Sequence, residues 1–225
     1  MNDPCANCII RNECVCVGLP RFSPTSGEPL VHERRFHRGE VLRQEGGIPD
    51  TIHVIKVGTV MASRAGVDGV SRPVMILFPG QAMGRVDQLE VGNVLTCRAV
   101  SAGRLCEVKL SELGFVASTG FRALVADYYI RTFSQLADWG QILRVKGAVG
   151  QVAATLMQME RCQRVSGVIK LPGHSTLAEL LGTSRETIAR VLGQLERSDT
   201  LMRLDRTHCR INHAKLLALL TAECP

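Results

Sequence analysis

The chain has 225 residues, is 45% apolar and carries a formal charge of +6, which rules out a disordered tail or a fibre and allows two modest domains with buried cores. No apolar run approaches the roughly 20 residues of a membrane span, and the amino terminus lacks the apolar stretch and small-residue cleavage site of a signal peptide. A cytoplasmic protein with no membrane partner is expected, and its basic excess suits a polyanion.

The first element is "CANCIIRNECVC", which places Cys5, Cys8, Cys14 and Cys16 within residues 1–20. An odd total of nine cysteines in a chain of this class argues for metal binding or thiol chemistry over a disulfide framework. An irregular connector, "VGLPRFSPTSGEPL", follows. The runs "RRFHRGEVLRQEGG", "TIHVIKVGTVMASRAG", "SRPVMILFPGQAMG" and "VLTCRAVSAGRLCEVKL" are short, rich in β-branched residues, partly alternating and punctuated by glycine. They predict a small antiparallel β-roll of the jelly-roll or cupin-like kind over 21–117. None of these glycines forms a dinucleotide or phosphate-loop motif, and no nucleophile–base or metal-catalytic pattern appears, so an enzyme is not expected.

Residues 118–147 read as a long helix. Val125, Tyr129, Thr132, Leu136, Trp139 and Leu143 follow near-heptad spacing, beside a second stripe of Ala126, Ile130, Phe133, Ala137 and Gly140. Two apolar stripes imply two covered surfaces, the β-roll on one side and a partner helix on the other; an ordinary core helix is the alternative. The first stripe is the expected homodimer seam. Asp138 beside it would face its like-charged twin across a symmetric dimer and weaken association.

Residues 148–225 begin with a helix in "QVAATLMQMERC" and a strand-like "GVIKLP". Two helices in "STLAELLGTSRETIARVLGQLERS", a hairpin-like "RLDRTHCRI" and a closing helix complete the region. Leu177, Leu180 and Leu181 make one apolar face and Ile188, Val191, Leu192 and Leu195 another. Gly182, Thr183 and Ser184 form the turn, with Ser184 placed to cap the second helix. Arg185, Glu186, Ala189 and Arg190 stand at the start of that helix, where a recognition helix meets base edges. The competing reading makes the arginines a solvated surface pairing with Glu186 and Glu196.

This order of β-roll, long helix and winged helix-turn-helix, with "LAELLGTSRETIARVLGQLE" near the carboxyl terminus, resembles the Crp/Fnr family of bacterial transcription regulators from about Phe36 onward. The resemblance implies an α+β fold, a homodimer, a palindromic double-stranded DNA operator and contact with RNA polymerase. The family's founding subgroup holds cyclic AMP with a Gly-Glu and an Arg-Ser pair. Here those places carry Gly84-Arg85 and, near Cys106, Thr96-Cys97. Guanidinium only donates and cannot accept from a ribose hydroxyl, so no cyclic nucleotide is expected.

The cysteines resemble the family's oxygen-sensing FNR branch, in which three amino-terminal cysteines and one late-strand cysteine ligate a [4Fe-4S] cluster. The resemblance assigns Cys5, Cys8, Cys14 and Cys106 as ligands, with Cys16 as the alternative and Cys97 as a rival to Cys106. Thiolates are the usual cluster ligands. Two other readings stay open: zinc held by Cys5, Cys8, Cys14 and Cys16, and metal-free reversible disulfide chemistry. Haem is a lesser alternative, since His32, His37 and His53 show no ligand motif. Cys162, Cys209 and Cys224 read as small apolar residues or exposed thiols. Oxygen, or a related oxidant such as nitric oxide, is the expected signal. The recognition sequence "RETIAR" looks closer to the cyclic-AMP branch, which implies a TGTGA-like half-site in place of the FNR branch's TTGAT.

Overall fold

The computed structural model describes residues 5, 8–23, 26–48, 51–84, 92–113, 119–163 and 167–222. The chain divides into two compact units, 1–134 and 135–225, so the boundary falls inside the long helix instead of at either of its ends.

The first unit begins with two 3-10 turns, Arg11–Glu13 and Val15–Gly18. Among the described residues eight strands follow: β1 His32–Phe36, β2 Val41–Arg43, β3 Thr51–Val57, β4 Val60–Ala65, β5 Ser71–Leu77, β6 Ala82–Met83, β7 Thr96–Ala99 and β8 Gly103–Lys109. They form two antiparallel four-stranded sheets, β1-β8-β3-β6 and β2-β7-β4-β5, the β-roll that the alternating runs predict. Ile52, His53, Val54 and Ile55 on β3 are consecutive and all buried, because this central strand is covered on both faces. Ile52 and Val54 share a cluster with Cys106 and Val108 of β8 and with Ile10, Cys14, Val15 and Cys16 of the amino-terminal segment. The tight turn after β3 needs glycine. Gly58 has φ +105, and a Cβ there would stand 2.8 Å from Phe36; at Gly103 a Cβ would stand 2.0 Å from the Val57 carbonyl oxygen.

A short helix α1, Leu110–Leu113, precedes α2, Thr119–Ile142. The second unit contains α3 Ala148–Gln163, β9 Val168–Lys170, α4 His174–Leu181, α5 Arg185–Arg197, β10 Leu201–Arg203, β11 His208–Ile211 and α6 His213–Ala222. Its sheet order is β10-β11-β9, the wing beside the helix pair. Val152, Ala153, Leu156 and Met159 of α3 are buried, as are Leu177, Leu180, Leu181, Ile188, Val191, Leu192 and Leu195. The two faces read from the leucine and valine spacing are thus the packed faces. None of the helices is long and apolar enough to cross a membrane, among the described residues.

The long helix departs from expectation in the register of its free face. Trp139, expected in the dimer seam, is buried, 1% exposed, while Val125 packs against the thiol-containing cluster of the first unit. Thr132 turns its hydroxyl back to the Tyr128 carbonyl at 2.9 Å. Tyr129, Leu136 and Leu143 are exposed as expected, but the most open apolar side chains are Phe133, 74%, and Ile130, 66%, from the second stripe. The exposed seam is therefore Ala126, Tyr129, Phe133, Leu136, Gly140 and Leu143, alternating by three and four residues. The reason is rotational: a 3.6-residue repeat carries positions 125 and 139 inward once each unit claims its own end. Asp138 is also engaged within its chain, with Arg161 at 3.4 Å and the Gln158 amide at 3.3 Å. An internal cation beside it weakens the repulsion expected of it.

Candidate functional site

Two groups of side chains carry chemistry, one in each unit. In the first, β8 holds Cys106 on the face covered by the amino-terminal segment. The 3-10 turns fold that segment back so that Cys14 and Cys16 are buried in the same cluster and Cys8 packs against it. Cys5 lies within electrostatic range of both Cys16 and Cys106, and its carbonyl accepts the Cys8 amide at 3.4 Å. Cys14, Cys16 and Cys106 thus share one buried cluster, with Cys8 packed against it and Cys5 in electrostatic range. Cys97 is not among them. It lies in the other sheet, opposite Arg43 and Ala62, and is pushed up to about 12 by burial.

The thiols differ in character. Burial pushes Cys106 up to about 12. A hydrogen bond from Cys16 holds Cys14 below the ordinary thiol value, and the same bond, with burial, raises Cys16 well above it. Lys56, at the bulge of β3, lies within electrostatic range of Cys8, Cys14 and Cys106, and its ammonium is tied to Glu33 at 2.5 Å while Arg104 binds the other Glu33 oxygen at 2.8 Å. Glu33 is the cross-strand partner of Cys106, so this charged group borders the thiols. The sequence reading passes over it; its one signal is Lys56 standing among the apolar residues of β3. Among the described residues no three His, Cys, Asp or Glu side chains stand arranged around a common point as a metal site. The thiols pack as a core.

The positions compared with the cyclic-nucleotide pairs are partly visible. Arg85 lies outside the described residues. Thr96 accepts the Glu45 amide at 3.0 Å through its hydroxyl. Buried Arg43 donates to Asn93 at 3.0 Å and Thr51 at 3.3 Å, and its guanidinium would stand 2.7 Å from a Cβ on Gly84. Arg43 thus lies beside Gly84 and is the cross-strand partner of Cys97. Of the three histidines, His32 and His37 are exposed, while buried His53 meets Thr51 and Glu107 at 3.1 Å.

In the second unit, Gly182 ends α4 in the left-handed conformation, φ 63, which a glycine adopts without steric cost. Ser184 caps α5 by accepting the Thr187 amide at 3.1 Å. Arg185, Glu186, Ala189 and Arg190 are all exposed at the start of α5. Glu196, proposed as a partner for these arginines, instead binds Arg203 of the wing at 2.6 Å. Cys162 and Cys209 are buried, Cys209 pushed up to about 11 by burial; Cys224 lies outside the described residues.

A family model described as a cyclic nucleotide-binding domain matches residues 33–119, and one described as a Crp-like helix-turn-helix domain matches residues 150–220. The chain belongs to the Crp/Fnr family of transcription regulators. Among its relatives, this Crp/Fnr regulator is 24% identical to the nitrogen fixation regulation protein FixK of Bradyrhizobium diazoefficiens, over 97% of this chain and 94% of that protein. It is 27% identical to the cyclic AMP receptor protein of Thermus thermophilus, over 89% of this chain and 95% of that one. The structure of FixK2 from Bradyrhizobium japonicum superposes with a TM-score of 0.73 at 22% identity, covering 84% of this chain and 96% of the other. That likeness establishes the fold.

Proposed function

We propose that this Crp/Fnr regulator binds a palindromic operator as a homodimer and reads oxygen, or a related oxidant such as nitric oxide, through a [4Fe-4S] cluster held by Cys5, Cys8, Cys14 and Cys106. One observation carries the reading: Cys106, some ninety residues distant in sequence, shares a buried cluster with Cys14 while Cys8 packs against it. The donor set fits the group, since thiolates are the usual ligands of iron–sulfur clusters. Bound there, the cluster would supply an oxidant-sensitive link between the amino-terminal segment and β8.

The residues around it connect that link to the long helix. Val125 and Tyr128 of α2 pack against the same apolar cluster as the thiols, and the Tyr128 hydroxyl donates to the Ala82 carbonyl at 2.7 Å. A change in how the amino-terminal segment is seated alters the surface on which the first half of α2 rests. That half also carries Ala126, Tyr129 and Phe133 of the exposed seam. A preference of a few kcal/mol for one seating moves most of the population. The ligand of the β-roll, in this reading, is not a cyclic nucleotide, because the Gly-Glu place carries Gly84-Arg85 and a guanidinium cannot accept from a ribose hydroxyl. The relatives' regulatory names and the helix-turn-helix match support action on DNA, with RNA polymerase as the further partner and no catalytic activity.

Protein isolated without oxygen should be brown and contain about four iron and four acid-labile sulfide per monomer. Stoichiometric zinc without iron would overturn the reading. A second reading, a zinc- or thiol-dependent regulator of the same fold, is favoured by one feature, the hydrogen bond between Cys14 and Cys16. Cys106→Ser should remove the iron and Cys16→Ser should leave most of it; the reverse result would make Cys16 the fourth ligand.

A further inference from the structure

His174 opens α4, the first helix of the pair, and its Nε2 lies 3.3 Å from Nη2 of Arg203. Arg203 is fixed from its other side, with Nε bound to Glu196 at 2.6 Å. At that distance the imidazole is neutral and accepts the arginine's N–H, because a protonated ring would set two cations together. The groups facing His174 are Arg203 of β10, Arg185 of α5 and Glu196 of α5. Partial burial and the two arginines hold its imidazolium form below the usual range. Two cations gathered around a titratable ring, with one carboxylate already taken by Arg203, leave a place that an anion would complete.

We propose that His174 and Arg203 form a clamp for one DNA phosphate, and that closing it takes up a proton at His174. The first helix of a helix-turn-helix pair crosses the sugar–phosphate backbone while the second enters the groove, and His174 is close enough to Arg185 to share that edge. A phosphate oxygen arriving between Nε2 and Nη2 accepts from both, which converts the imidazole from acceptor to donor. The proton comes from solvent, and no bond other than N–H is made. Phosphate contacts of this kind position the protein without reading bases. The inference rests on the DNA-binding reading of the second unit and adds a pH dependence that this reading does not contain.

The sign follows from linkage. The bound state holds one more proton per protomer than the free state, so affinity rises as pH falls. Full uptake corresponds to about a tenfold gain per protomer for each pH unit within the titration window.

The test is operator binding by the full-length protein, prepared without oxygen, at fixed salt from pH 8 to pH 6. The wild type should bind at least tenfold tighter at pH 6, and His174→Gln should match it near pH 8 yet lose most of that gain. His208→Gln, which alters a wing histidine lying 2.8 Å from Asp205, should keep the full pH response. Arg203→Ala should weaken binding at every pH and reduce the salt slope by about one per protomer, with the preference among operators unchanged. An unaltered pH response in His174→Gln, or its loss in His208→Gln, would overturn the clamp. Failure of the wild type to bind any duplex would overturn the DNA-binding reading itself.

Discussion

Arg185 and Glu186 stand at the first two positions of α5 with their side chains exposed, and the proposed contact with bases predicts an operator from their chemistry. Arginine donates twice to guanine, and a carboxylate accepts from the cytosine amino group. Glu186 and Arg190 suit a G·C pair common to the TGTGA and TTGAT half-sites; Arg185 suits the outer guanine of TGTGA, and Ala189 offers only a methyl group to a thymine. A preference for the TGTGA palindrome is expected, and Arg185→Ala should lose about 1 to 3 kcal/mol of discrimination at that guanine. Competition binding at fixed salt measures it, and a clear preference for TTGAT would refute it. Ser184 acts on the same helix differently. Its hydroxyl caps the Thr187 amide, so Ser184→Ala should destabilise the second unit by about 1 kcal/mol, read as a lowered Tm.

At the scale of the element, α2 is one helix with two inward allegiances and one free face. Trp139 and Ile142 are buried, whereas Phe133 and Ile130 stand open, so substitutions six or nine residues apart should have opposite consequences. Phe133→Glu places a charge in the exposed seam and should shift the dimer toward monomer while leaving Tm nearly unchanged. Trp139→Ala should leave association intact at low temperature but cost about 3 to 5 kcal/mol of stability, as truncation of a fully buried tryptophan does. Sedimentation and thermal unfolding of both variants separate the effects. A dimer insensitive to Phe133→Glu would place the interface on another face. Asp138→Asn should have little effect on association, since Arg161 and Gln158 already meet that carboxylate.

For the whole molecule, the sensor and the address are separate chemistries joined through α2. The thiols and the first half of that helix share one apolar core, which is why loss of the proposed iron–sulfur cluster should be felt as a change in dimerisation. Anaerobic protein should sediment as a dimer and shift toward monomer after exposure to air, and Cys106→Ser should behave like the air-exposed protein in both conditions. A dimer equally tight in all these states would refute control through association.

Much of this was legible in the sequence because it depends on local repeats. Alternation in "TIHVIKVG" and glycine at the turns specify strands, and leucine spacing with Gly182 and Ser184 specifies the helix pair. What stayed hidden depends on contacts between distant segments. Nothing near residue 139 distinguishes a seam tryptophan from a core tryptophan, because both lie on an apolar stripe; only the packing of each unit against its end of α2 decides the rotation. Charge partners are equally undetermined, since Glu196 could have met any nearby arginine and the wing brings it Arg203. The sequence by itself determined the kinds of element, their order and the soft donor set at the amino terminus. Tertiary structure decided that Cys106, not Cys97, faces those donors, because β8 and β7 lie in different sheets.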